Sequence, residues 1–120
     1  MEYMVLINSD ETVPTPEFGE AGFEEFMGTW MAYNQKLIDG GHWVSAASLQ
    51  PTTTATTVRR TAGTPDAVVD GPYVETKEQF GGYYLISAEN LDEAIALAKQ
   101  MPVPAGSFEI RPVAFRPDAA

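Results

Sequence analysis

Tyr3-Met4-Val5-Leu6-Ile7 and Tyr83-Tyr84-Leu85-Ile86 are two strand-length stretches that are apolar at every position and rich in branched or aromatic side chains. A strand wetted on one face alternates apolar with polar residues, so unbroken runs of this length predict strands that are covered on both faces. The polar segment Asn8-Ser9-Asp10-Glu11 is expected to end the first strand, and Gly81-Gly82 to open the later one. Beyond the prolines at 14 and 16, Phe23, Phe26, Met27, Trp30, Tyr33, Asn34, Leu37 and Ile38 recur at helical spacing, which predicts a long helix with these residues as core. Gly40-Gly41 is placed to end it with a left-handed cap. His42 to Leu49 then returns as a strand closed by Pro51, with Trp43 and Val44 at its start.

Thr52 to Thr61 is threonine-rich and ends in Val58-Arg59-Arg60, a β-branched composition suited to a strand with a wet face. Ala62 to Asp66 reads as a turn, Ala67-Val68-Val69 as the returning arm of a hairpin, and Asp70-Gly71-Pro72 as its end. Asn90, with Glu93 three residues on, forms a capping box for a second helix whose apolar stripe is Leu91, Ala94, Ile95, Ala98 and Met101, stopped by Pro102 and Pro104. Phe108 to Phe115 closes the chain as a strand that Pro112 assigns to a sheet edge. The order strand, helix, strand, hairpin, strand, helix, strand is an α+β fold of the ferredoxin-like, split β-α-β kind with an inserted hairpin, in a single domain over residues 1–120.

That topology places the two apolar runs at the centre of a four-stranded sheet. Two helices shield one face, so the other face needs a partner, and a second copy of the chain is the economical one. The exposed set is either Tyr3, Val5 and Ile7 or Met4 and Leu6.

Seventeen acidic residues against seven basic give a net charge of −10, which repels phosphate backbones and anionic membranes and makes nucleic acid and membrane poor partners. Cysteine is absent, which excludes thiolate chemistry, disulfides and cysteine-ligated metals; the single histidine, His42, leaves no His-His pair, and no cofactor or metal is expected. The opening apolar run is shorter than a signal peptide's and lacks a basic leader, so a soluble cytoplasmic protein is expected.

The densest concentration of chemistry is Asp70-Gly71-Pro72-Tyr73-Val74-Glu75-Thr76-Lys77-Glu78-Gln79-Phe80-Gly81-Gly82-Tyr83. Asp70, Glu75, Lys77 and Glu78 bring both signs of charge into a frame bounded by glycine and proline; a carboxylate drawn partly out of water there would serve as general base, with Lys77 offsetting developing negative charge. The ordinary use of these residues is structural: an Asx turn at Asp70 and a Glu75–Lys77 ion pair.

The same stretch resembles the signature of the DGPF branch of the YCII-related family: Asp-Gly-Pro and an aromatic residue, then Glu-Thr-Lys-Glu, then Gly-Gly and an aromatic residue. The resemblance extends through Tyr3 to Ile7, Leu49-Gln50-Pro51, Ala55 to Arg59, Leu91 to Ala94 and Glu109 to Val113. It implies a dimeric α–β barrel. It also implies a histidine–aspartate pair near the start of the first helix, but this chain has no histidine there, which leaves Asp10 and Glu11 as the acid–base candidates beside strand one. Some related domains are associated with alternative sigma factors, so the resemblance carries a regulatory or interaction role as the alternative to a small-molecule-binding protein or metal-independent acid–base enzyme.

Four further residues are candidate ligand contacts. Tyr83 and Tyr84 point to opposite faces of a regular strand, so one of them faces the space between paired sheets. Arg59 and Arg60 likewise alternate, leaving Arg59 as a candidate partner for a ligand carboxylate. His42 either titrates near neutrality or covers the helix C-terminus, where an imidazolium is favoured.

Overall fold

The computed structural model describes residues 1–74 and 76–117. Six strands and two α-helices follow one another as β1 (Glu2–Asp10), α1 (Phe23–Asp39), β2 (Trp43–Ser48), β3 (Thr56–Arg59), β4 (Ala67–Asp70), β5 (Glu78–Ser87), α2 (Leu91–Ala98) and β6 (Gly106–Pro112). The strands β2, β5, β1 and β6 form one antiparallel sheet in that spatial order, and β3 and β4 form a separate two-stranded hairpin. The two fully apolar runs are therefore the central strands of an α+β, ferredoxin-like fold with an inserted hairpin.

Alternate residues of β1 decide which face carries the core. Tyr3, Val5 and Ile7 pack with Tyr84 and Ile86 of β5, Tyr33 and Leu37 of α1, and Ala94, Leu97 and Ala98 of α2 in one buried cluster. Met4 and Leu6 point the other way with their cross-strand partners Leu85 and Tyr83. Leu85 is buried but has no part in the helix-side cluster.

The helix ends obey local chemistry. At the end of α1, Gly41 lies at φ +77° and the amides of His42 and Gly41 reach back to the carbonyls of Leu37 and Ile38 at 2.8 and 3.1 Å, a paired closure that a β-carbon at position 41 would strain. In α2 the Glu93 amide donates to Asn90 Oδ1 at 2.9 Å, while the Glu93 carboxylate accepts from the Glu89 amide.

Five expectations from sequence are corrected. The polar Asn8-Ser9-Asp10 does not end β1, and Gly81-Gly82 does not open β5: the pair continues to Asp10 opposite Glu78, with Gly81 as an unpaired bulge between Ile7↔Gly82 and Asn8↔Phe80. Thr52–Thr54 is a 3₁₀ turn rather than strand, held by the Glu11 carboxylate, which accepts from the Thr52 amide and hydroxyl at 3.2 and 2.7 Å. The core face of α1 runs from Trp30 to Leu37, so Met27 and Ile38 are exposed and Phe23 and Phe26 are only half-buried. The last strand ends at Pro112, with one further bond from the Val113 amide to the Glu2 carbonyl at 2.9 Å, and Phe115 beyond it is exposed.

The hairpin stands away from this body. Only Thr57 of its eight strand residues is even partly covered, and the radius of gyration, 16.5 Å, exceeds the ~14 Å of a compact chain this long.

Gly82 is a tight point between β5 and β2. A β-carbon there would lie 2.6 Å from the Ala47 carbonyl oxygen of β2, a backbone atom that cannot swing aside. Gly82→Ala is expected to destabilise the fold by about 1–3 kcal/mol, as overpacking does, whereas Gly63→Ala, in the open hairpin turn, acts through its positive φ alone; urea unfolding of the two variants checks the order.

Candidate functional site

The extra residue at Gly81 shifts the alternation of β5 by one, so that Glu78 and Phe80 stand opposite Asp10 and Asn8 at the C-terminal end of β1. Two further segments rise around this end of the sheet. One is Leu49 to Ala55, closed by the 3₁₀ turn; the other carries Pro72, Tyr73, Val74 and Thr76 beyond the hairpin. Between them lies an open cleft of about 570 Å³.

Its walls are apolar at Leu49, Pro51, Val74 and Phe80, and polar at Asn8, Gln50, Thr52, Thr54 and Glu78. A concave, mostly apolar surface with a few convergent hydrogen-bonding groups is the usual form of a small-molecule site. Backbone contacts hold the two walls together. The Gly71 amide donates to the Ala55 carbonyl at 2.8 Å, and the Thr57 hydroxyl donates to the Gly71 carbonyl at 2.7 Å, so the hairpin base ties one wall to the other. Thr76 donates its hydroxyl to the Glu78 carbonyl, and Gln79 donates from Nε2 to the Thr76 carbonyl at 2.5 Å.

Charge at this end is arranged in pairs. Lys77 Nζ lies 3.9 Å from Asp10 Oδ2, and Glu78 Oε1 accepts the Ser107 hydroxyl at 2.5 Å. Asp10 Oδ1 also accepts from the Thr12 hydroxyl and amide at 2.5 and 3.0 Å. These two hydrogen bonds, with Lys77 adding a smaller contribution, hold the Asp10 carboxyl below its ordinary value.

The eight residues singled out by sequence fall in several places. Glu78 lines the cleft, Lys77 sits on its edge and pairs with Asp10, and Asp70 is the last residue of the hairpin at its base. Asp70 is exposed, opposite Thr56, and its carboxylate accepts no hydrogen bond from a described residue, so the Asx turn expected there does not form among them. Glu75 lies outside the described residues. Arg59 stacks its guanidinium over Tyr73, 5.9 Å from the ring centroid, on the hairpin side of the cleft. The neighbouring Arg60 is held by Asp66 through two contacts of 2.9 and 2.6 Å.

The two tyrosines part as alternation requires. Tyr83 lies on the open face with Leu6, whereas Tyr84 is buried against α1, stacked on Trp30 at 5.9 Å and edge-on to Tyr33 and Trp43, with its hydroxyl donating to Asn34 Oδ1. Burial raises the Tyr84 phenol against the opposing effect of that bond; burial raises Tyr33 strongly, and its hydroxyl donates to the Leu97 carbonyl at 2.9 Å. Both remain neutral donors. His42 stands at the other end of β5: its ring Nδ1 lies 2.8 Å from the Ser87 carbonyl, about 26 Å along the strand from Gln79 at ~3.3 Å per residue. There it packs on Gly40, where a β-carbon would meet the ring at 2.7 Å, and lies 3.9 Å from Glu93. This is the helix-covering position.

Residues that sequence reasoning did not single out form the second wall: Leu49, Gln50, Pro51, Thr52 and Thr54. The signal available for them was Pro51 before three threonines, a turn-forming pattern, but its partner Glu11 is 41 residues away and becomes one only on folding. Among the described residues, no three histidine or acidic side chains are gathered as metal ligands, and no helix is long and apolar enough to cross a membrane.

A four-stranded antiparallel sheet with both helices on one side and an inserted hairpin defines an α+β protein of ferredoxin-like architecture. The chain belongs to the YCII-related domain family, whose pattern it matches over residues 1–115. It is also 40% identical over 117 residues to an uncharacterised protein of Rhizobium meliloti (strain 1021), covering 95% of this chain and 93% of that one.

The depressed Asp10 carboxyl makes a pH-dependent contribution. A group lowered on folding stabilises the native state fully above its unfolded titration and loses that contribution as pH falls through the folded value. Asp66, lowered by its hydrogen bonds from Arg60, acts in the same window. Melting temperature is therefore expected to fall between about pH 4.5 and pH 2, and Asp10→Asn to flatten that fall while leaving its upper limit in place; calorimetry across the range reads both.

Proposed function

We propose that this chain binds a small organic molecule in the cleft between the Leu49–Ala55 and Pro72–Phe80 segments, and that it does so as a homodimer joined through the open face of its sheet. The single observation that carries the binding reading is the cleft itself: about 570 Å³, apolar on most of its wall, with hydroxyl, amide and carboxylate groups converging on it. The dimer is supported by Met4, Leu6 and Tyr83, partly exposed around the buried Leu85, which give the helix-free face of the two central strands an apolar middle.

The polar groups of the cleft describe the ligand. Asn8, Gln50, Thr52 and Thr54 are neutral, and Glu78 is the one acidic or basic side chain on the described wall, so the site suits an uncharged or cationic molecule with an apolar portion. An acid–base step in the cleft would fall to Glu78, whose Oε1 is oriented by the Ser107 hydroxyl while its other oxygen is left to accept a proton. Asp70 and Lys77 stand at the rim, where they shape the field rather than touch a bound molecule.

A second reading rests on a different feature. Val58 and Val68 of the hairpin are 59% and 70% exposed, and an apolar arm of this kind suits a non-catalytic interaction domain.

A panel of small organic compounds screened by thermal shift separates the two. Compounds that raise the melting temperature of the parent protein are expected to lose about tenfold or more in affinity in Thr54→Trp, which fills the cleft from an exposed position, and to be unaffected by Val68→Ser. Ligands indifferent to Thr54→Trp would place the site elsewhere. Light scattering is expected to give twice the chain mass for the parent and the single mass for Leu6→Asp; a parent that stays monomeric at micromolar concentration would refute the dimer.

A further inference from the structure

The open face of the sheet carries charge as well as apolar surface, and the charge follows a pattern. Residues directly opposite one another in an antiparallel pair share a face, so Glu109, opposite Leu6, and Arg111, opposite Met4, stand on the open face with them. Both are exposed, and neither has an ionic or hydrogen-bonding partner among the described residues. Of the other charges that alternation places on this face of the central sheet, Glu2 is held by Arg116 through contacts of 3.0 and 2.7 Å, and Asp10 and Glu78, at the cleft end, accept from Thr12 and Ser107. At the opposite edge, β2 contributes only Ser45 and Ala47, opposite Leu85 and Tyr83.

These residues are arranged symmetrically about one line across the sheet. Val5 pairs with Tyr84 on one side and Ile110 on the other. One step to one side lie Met4, Leu85 and Arg111; one step to the other lie Leu6, Tyr83 and Glu109. A two-fold axis along the Val5 row lays Met4 over Leu6 of a second copy and Leu85 over its Tyr83. It also lays Arg111 over Glu109 of that copy and, by symmetry, Glu109 over Arg111. An isologous contact repeats every pairing twice, so a face that is apolar in the middle and carries one acid and one base at equal distances from the row is complementary to itself. An axis running along the strands would instead lay β6 over the uncharged β2 and leave both charges unmatched.

We propose that reciprocal Glu109–Arg111 pairs between the β6 strands of two copies fix the register of the sheet-face contact, with the two-fold axis along the Val5 row. The inference rests on the homodimer proposed above and specifies its geometry. Opposed charges at the rim of an interface set register and reject mismatched partners, while the apolar middle supplies most of the affinity.

Charge reversal tests this geometry. Glu109→Arg opposes arginine to arginine twice in its own dimer, and Arg111→Glu opposes glutamate to glutamate twice, so each variant alone is expected to dimerise on the order of tenfold more weakly by sedimentation equilibrium in low salt. Mixed together, the two variants restore both opposite-charge pairs, and a heterodimer of near-parental affinity is expected. An unfolded variant could not be rescued by mixing, so restoration also reports that both chains are folded. A parent dimer that Leu6→Asp disrupts but that neither reversal weakens, or two weakened variants that do not recover on mixing, would overturn the register while leaving the sheet-face dimer standing. A monomeric parent would remove the dimer itself and this inference with it.

Discussion

The pairing of β1 with β5, offset by one residue at Gly81, is the constraint on which the rest of the molecule depends. Up to Ile7 and Gly82 the pair is apolar on both faces and anchors the core; beyond the bulge the same two strands present Asn8, Asp10, Glu78 and Phe80. Without the extra residue, Glu78 and Phe80 would project from the other face and the cleft would lose its floor. Gly82 sets the other side of the same constraint. With the Ala47 carbonyl so close, β2 can lie flat against β5 only if residue 82 has no side chain, and the Leu49–Ala55 wall follows directly from where β2 ends.

The electrostatics of the cleft end follow from a chain with ten more acids than bases. Three carboxylates at this end are given donors: Asp10 has Thr12 and Lys77, Glu11 has Thr52, and Glu78 has Ser107. Hydrogen bonding to the charged form, rather than burial, is what lowers Asp10, so that carboxylate is held ionised and ordered. The titrating groups that burial does raise are Tyr33 and Tyr84, and both are committed as donors inside the helix–sheet layer, away from the cleft.

The sheet has two unlike faces. One is closed within the chain by α1 and α2, with an aromatic cluster of Trp30, Tyr33, Trp43 and Tyr84 filling the space below α1. The other has no helix over it and combines Met4, Leu6, Tyr83 and Leu85 with the charges of β6. The cleft opens at one end of this second face, because Asn8 and Phe80 continue the same rows of side chains. The cleft and the open face are thus neighbouring parts of one surface.

Much of the architecture is legible in the sequence because it rests on short-range chemistry. The apolar runs at Tyr3–Ile7 and Tyr83–Ile86, the helical spacing from Trp30 to Leu37, the glycine closure at Gly41 and the Asn90–Glu93 cap each act within a few residues, and each is found in place. Alternation alone required Tyr83 and Tyr84 to separate; only the helices' position decided that Tyr84 went inside. The candidate site was legible only in part. The Asp70–Gly82 segment announced itself by composition, but its partner wall is held by a Glu11–Thr52 contact spanning 41 residues, and the strand register that turns Glu78 toward that wall depends on one unpaired glycine. Local propensity determines which segments become strands and helices; the distance-spanning contacts that make a cleft exist only once those strands have chosen their neighbours.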